Sequence, residues 1–231
     1  MQITGNDIID LQLAAAENNW RRRGYLDKIY TPAEQELIAS ATAPDIMVWL
    51  LWSCKEAVYK IVNRSSGARS YAPQQFDCLP QTCNPYMHNA VSQPPQLNTV
   101  ADGLTTIYAP ANITGSSYTG KVFHNGNVYI FNSIVTHAYI HTVAVTQHPP
   151  ESAYINSLFP HSIIINISSN TKEEMYNVDN YTQILQSSGI IAAQQQVQKD
   201  PQDLPVIYDT ITQQVTSVTI SHHGRYLAIC C

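Results

Sequence analysis

The stretch that decides the fold is Pro44-Asp45-Ile46-Met47-Val48-Trp49-Leu50-Leu51-Trp52-Ser53-Cys54-Lys55-Glu56-Ala57-Val58-Tyr59-Lys60. Pro44-Asp45 opens a helix predicted over about 46 to 63, since proline suits the first helical turn. Its first half, Ile46 to Trp52, is apolar on every side, which is the pattern of a helix buried in a core. Its second half turns polar. Glu56, Lys60, Asn63 and Arg64 stand at i, i+4, i+7 and i+8, so they share one face. An ordinary surface pair of Glu56 and Lys60 would contribute only a few tenths of a kcal/mol. This helix, however, has no charge between Ile46 and Cys54. A helix so buried keeps its charged groups at the rim of the core, where they meet water or a ligand.

Upstream, Thr31-Pro32-Ala33-Glu34 reads as a capped helix start, with Thr31 and Glu34 spaced for a capping box, and the helix runs to about Ser40. Before it, a helix over 11–23 is expected to end near Gly24. Residues 1–10 read as a short strand with a turn at Gly5-Asn6-Asp7. An Asp just past a Gly at a strand end can point into a cleft and hold a cation; the plainer alternative is a turn with Asp10 capping the next helix.

Downstream, 71–119 reads as loops with short strands near Phe76 and Ile107. Lys121–His124 and Val128–Phe131 flank Asn125-Gly126-Asn127, a hairpin signal, and Tyr139 to Val145 is another strand. A helical stretch is expected from Thr171 to about Lys199, broken near Ser187-Ser188-Gly189. The end is β again, with Val215 to Ser221 and Tyr226 to Ile229 around His222-His223-Gly224-Arg225. No internal repeat is visible. The pattern is α+β, an antiparallel sheet packed against helices that include the buried one at 46–63.

At 231 residues the chain is one large domain or two modest ones. Its formal charge of −5 excludes a broadly basic nucleic-acid binder and leaves only a local anion site. The longest uncharged apolar run, Ile46 to Trp52, is far short of the ~20 residues of a membrane span. The start of the chain has neither the basic nor the apolar segment of a signal peptide. Five cysteines without a CxxC pair read as reduced thiols, so a cytoplasmic protein is expected. His137 and His141 share a strand face with Tyr139 but have no further zinc ligands at recognisable spacing.

Ser221-His222-His223-Gly224-Arg225 is either a plain polar turn or a tight turn offering donors to a phosphate. Together Gly5-x-Asp7, Trp20, Ile29-Tyr30-Thr31-Pro32-Ala33-Glu34, Lys55-Glu56-Ala57-Val58-Tyr59-Lys60 and Ser221-His222 stand in one order. In that order they resemble the motifs of the 4′-phosphopantetheinyl transferase superfamily, in particular its small branch, holo-acyl-carrier-protein synthase. The resemblance covers about 1–64 and 197–231. The length matches the larger branch, which folds as two similar halves and carries an acid where this chain has Ile9.

The resemblance implies one transferase-like domain over 1–231, with a β-rich insertion at about 80–195. That segment could form a second subdomain. The resemblance also implies transfer of 4′-phosphopantetheine from coenzyme A to a serine of an apo acyl or peptidyl carrier protein, releasing 3′,5′-ADP. Mg²⁺ would be held by Asp7 and Glu56; Glu56 and Lys60 would be catalytic, with Glu56 or a metal-bound water as base. Lys55, Lys60, Arg64, Ser221 and His222 would hold coenzyme A phosphates. Arg21-Arg22-Arg23 would dock the acidic carrier, or would be a solvated helix end. The oligomeric state is open between monomer and trimer. A catalytically inactive, carrier- or nucleotide-binding member of the same fold is the alternative.

Overall fold

The computed structural model describes residues 3–67, 69–87, 104–107, 114–146, 162–167 and 178–230. The chain begins with strand β1 (Thr4–Asp10) and the helices α1 (Leu11–Glu17), α2 (Tyr25–Ile29), α3 (Pro32–Ser40) and α4 (Pro44–Ser66). Strands β2 (Asp77–Met87), β3 (Leu104–Ile107), β4 (Thr114–His124), β5 (Asn127–Val135), β6 (Tyr139–Thr146) and β7 (Ser162–Ile167) follow. Helix α5 (Val178–Ser187) precedes β8 (Gln195–Lys199), β9 (Pro205–Asp209), β10 (Val215–Ser217), β11 (Thr219–His223) and β12 (Tyr226–Cys230). The fold is α+β.

Helix α4 forms where its apolar run demands and stops at Gly67, whose φ of +69° suits a glycine cap. Thr31 and Glu34 make the expected capping box at the start of α3. Asn125 and Gly126 both take positive φ and close the β4–β5 hairpin.

Other expectations are corrected. Gly5-Asn6-Asp7 lies inside β1, because the strand is held along its whole length by antiparallel pairing with β6. Helix α1 stops at Glu17, and Gly24 precedes α2, so Arg21-Arg22-Arg23 is not a helix end. The expected loop region yields the long strand β2, paired with β4. Gln195–Lys199 is a strand, because it pairs with β9; 171–177 lies outside the described residues. The segment read as an insertion supplies β2, β4, β5 and β6, which complete the sheet begun by β1. It is therefore integral to the core.

The main sheet has the order β1-β6-β5-β4-β2, and a second has the order β11-β12-β7-β3. The topology repeats where the sequence does not. In each sheet the later strand of a hairpin (β5–β6, β11–β12) pairs antiparallel with an earlier strand, β1 or β7. In each, a helix that lies between them in the chain packs on one face. Helix α4 buries Leu50, Cys54, Ala57 and Val58 against Ile9, Ile140 and Ala144. Helix α5 buries Ile184 and Leu185 against Ile165, Leu227 and Ile229. The remaining faces of the two sheets meet, with Ile8, Ile134 and Tyr139 against Ile164, Tyr226 and Ala228. Among the described residues no helix is long and apolar enough to cross a membrane.

Candidate active site

Strand β1 is the edge of its sheet on the side facing the second unit. Its pleat sends alternate side chains to opposite faces. Gly5, Asp7 and Ile9 face α4. A Cβ on Gly5 would collide with the Ala57 carbonyl oxygen, so only glycine lets the helix backbone come this close. Asn6, Ile8 and Asp10 face the second unit, where the Asn6 carboxamide accepts a hydrogen bond from the Thr219 hydroxyl at 3.0 Å.

The close approach of α4 sets the polar stripe beside Asp7. Lys60 Nζ donates to the Asn6 carbonyl at 2.7 Å and to Asp7 Oδ1 at 3.3 Å. Asp7 is buried, and its Oδ2 has no hydrogen-bond partner. Burial raises its pKa, against the lowering effect of Lys60, Ser53 and His223. Burial also pushes Glu56 up to about 7, reinforced by the negative charge of Asp7 and opposed by Lys60 and the Tyr71 hydroxyl. Two carboxylates that repel each other in a poorly solvated place, one with an unpartnered buried oxygen, form a donor set suited to a hard divalent cation.

The second unit supplies the other wall. Along β11, Thr219, Ser221 and His223 point toward β1, and His222 points the other way. Thr219 reaches Asn6, and His223 Nδ1 accepts a hydrogen bond from the Asp10 backbone N–H at 2.9 Å. His222 is half-buried with Nε2 against the Gly224 carbonyl at 3.0 Å. The histidine on the side facing β1 is thus His223, whose charge lowers the Asp7 pKa and which the sequence reading left out of the site. A pleat argument on Thr219-Ile220-Ser221-His222-His223 could have separated the two, had the partner strand been known. Farther along α4, a small cleft is lined by Tyr59, Lys60, Asn63, Arg64, Pro205 and Thr219. Arg64 Nη2 donates to the Val218 carbonyl at 2.6 Å and the Pro205 carbonyl at 3.3 Å, which ties the helix to the second unit.

Two groups expected in the site lie elsewhere. Lys55 is fully buried, and its ammonium group donates to Glu34 Oε2 at 2.8 Å, the Pro73 carbonyl at 2.9 Å and the Phe76 carbonyl. All three of its donors are used, so it has none for a coenzyme A phosphate. Lys55 and Glu56 diverge because successive helical residues point about 100° apart. Glu34 also accepts from the Thr31 and Cys78 N–H groups, at 2.8 Å each. Arg21 makes a two-pronged pair with Asp45, 2.8 Å on each side, and lies over the Trp20 ring. Arg22 lies over Tyr25.

The family model described as the 4′-phosphopantetheinyl transferase superfamily matches residues 4–101. The match takes in Asp7, Glu56 and Lys60 and supports both the resemblance read from the sequence and a transferase role of the phosphopantetheinyl kind. It runs beyond the first stretch of that resemblance and does not reach Ser221. No curated protein matches the chain.

Proposed function

We propose that this chain, whose residues 4–101 match the superfamily, transfers 4′-phosphopantetheine from coenzyme A to a serine hydroxyl of an apo acyl or peptidyl carrier protein, releasing 3′,5′-ADP. The observation that carries the proposal is the convergence of Asp7, Glu56 and Lys60 from the first unit with the His223 turn of the second.

The residues fit a Mg²⁺ ion. Asp7 has an unpartnered buried oxygen, and Glu56 shares its field. Mg²⁺ characteristically takes one or two carboxylates and completes its shell with substrate phosphates and water. Bound there, it would neutralise charge growing on the 5′-phosphate of the departing 3′,5′-ADP as the pyrophosphate bond breaks. The chain's own groups do the rest. Lys60, whose side chain is 27% exposed and pairs with Asp7, could meet a phosphate oxygen as a point charge. Arg64 and His223 extend the cationic and donor surface across the seam between the units. Glu56 or a metal-bound water would accept the serine proton.

The test is to incubate the protein with coenzyme A, Mg²⁺ and apo carriers and to weigh the carriers. A gain of one phosphopantetheine group is expected. No gain with several carriers, alongside measurable coenzyme A binding, would replace the transferase reading with a non-catalytic binding protein.

A further inference from the structure

Three residues beyond Asp7, the same strand ends on a second buried carboxylate. Asp10 is 2% exposed, and five donors converge on it. Oδ1 accepts from the N–H groups of Gln12 (3.0 Å) and Leu13 (3.3 Å), capping α1, and from Arg225 Nη2 (3.1 Å). Oδ2 accepts from Arg225 Nε (2.9 Å) and the Arg225 N–H (3.1 Å). The Asp10 N–H in turn donates to His223 Nδ1. Gly224, between these two partners, takes a φ of +56°, and a Cβ there would lie 2.6 Å from Asp10 Oδ2. The whole β11–β12 turn is therefore fastened to the end of the strand that carries Asp7. A helix cap alone needs one carboxylate oxygen; the bidentate arginine and the histidine contact serve something else.

We propose that Asp10 and Arg225 are positioning residues that clamp the β11–β12 turn against β1 and hold His223 in one orientation and one tautomer beside Asp7. The role in transfer rests on the function proposed above; the clamp itself does not. Because Nδ1 accepts from a backbone N–H, neutral His223 carries its proton on Nε2. The clamp acts on the wall that meets coenzyme A and leaves the two metal-holding carboxylates in place, so its loss should appear in substrate binding ahead of turnover.

The full chain is tested with Arg225→Ala, Arg225→Lys and Gly224→Ala, which leave the Asp10 cap on α1 intact. Arg225→Ala should raise the coenzyme A KM about tenfold, the scale of one lost charge-assisted contact, with kcat within about threefold of wild type. Arg225→Lys should recover part of the loss, and Gly224→Ala should reproduce it without removing any donor. In protein labelled with ¹⁵N-histidine, His223 Nδ1 should show an unprotonated acceptor in the wild type and a tautomer-averaged ring in Arg225→Ala. Unchanged His223 nitrogen signals in Arg225→Ala would overturn the clamp. Moved signals with a wild-type coenzyme A KM would overturn its role in positioning. If even the wild type transfers nothing, the proposed function fails, and the nitrogen spectra alone judge the clamp.

Discussion

The unit β1-β6-β5 with α4 and the unit β7-β12-β11 with α5 share a strand order and a helix-covered face, yet they carry different chemistry. In the first, the edge strand holds Asp7 and the 23-residue helix carries Glu56 and Lys60 above it. In the second, the equivalent strand is Ser162–Ile167, with no carboxylate, and the 10-residue helix has no basic residue in its last turn. The second unit contributes through its hairpin turn instead. One framework used twice thus brings different groups to the seam where the two copies meet. Variants of either wall sharpen the contrast.

The largest effect should fall on the first unit's frame. Replacing Lys55 with Met strands Glu34 as a buried charge and should cost about 3–5 kcal/mol, read as a drop in denaturant midpoint. Lys60→Met should cost clearly less, because that ammonium group is 27% exposed and solvent already screens the pair it makes with Asp7. Equal losses would mean that the two lysines are not divided between frame and site.

Next come the carboxylates. Asp7→Asn and Glu56→Gln should each slow transfer about 100- to 1000-fold, the scale of losing one group that stabilises developing charge. Mg²⁺ should raise the Tm of the wild type, and both variants should abolish that rise. A variant that keeps the Mg²⁺-induced shift does not lack a ligand.

On the second wall, His223→Ala should raise the coenzyme A KM by about 1–3 kcal/mol of lost binding, and His222→Ala by less. The reverse order would show that the face pointing away from β1 meets the substrate.

The seam should also respond to acid. Burial works to raise the Asp10 pKa, but hydrogen bonds from the Arg225 side chain and backbone outweigh it and hold it below the usual carboxylate value. A depressed folded-state pKa stabilises above the unfolded value of about 4 and is lost as pH falls through the lower folded one. Asp10→Asn should therefore cost about 1–2 kcal/mol at pH 7, and the gap from wild type should shrink below about pH 4. A constant gap would exclude the charge as its source.

The smallest effects belong to the arginine run. Arg21 is already neutralised by Asp45, so Arg22→Glu and Arg23→Glu should raise a carrier KM more than Arg21→Glu does, each by about 1 kcal/mol or less and less still at high salt. Equal, salt-independent values would remove the run from carrier docking.

Elements with local causes could be read from the chain alone. The apolar run from Ile46 to Trp52 made α4 legible, Thr31 and Glu34 announced their capping box, and Asn125-Gly126 its hairpin. The polar stripe on α4 was legible too, because helical spacing suffices to pick it out, whereas Gly5-Asn6-Asp7 read as a turn until β6 paired with it. The rest depends on contacts between distant segments. Lys55 and Lys60 look alike in a linear motif, yet Glu34 and two carbonyls from distant segments bury one, while the edge of β1 holds the other. Gln195–Lys199 reads as helix until β9 pairs with it. Which of two adjacent histidines bonds to the end of β1 depends on which face of β11 lies against that strand, more than two hundred residues away. That choice is set by sheet packing, a long-range contact that leaves no periodic trace in the chain.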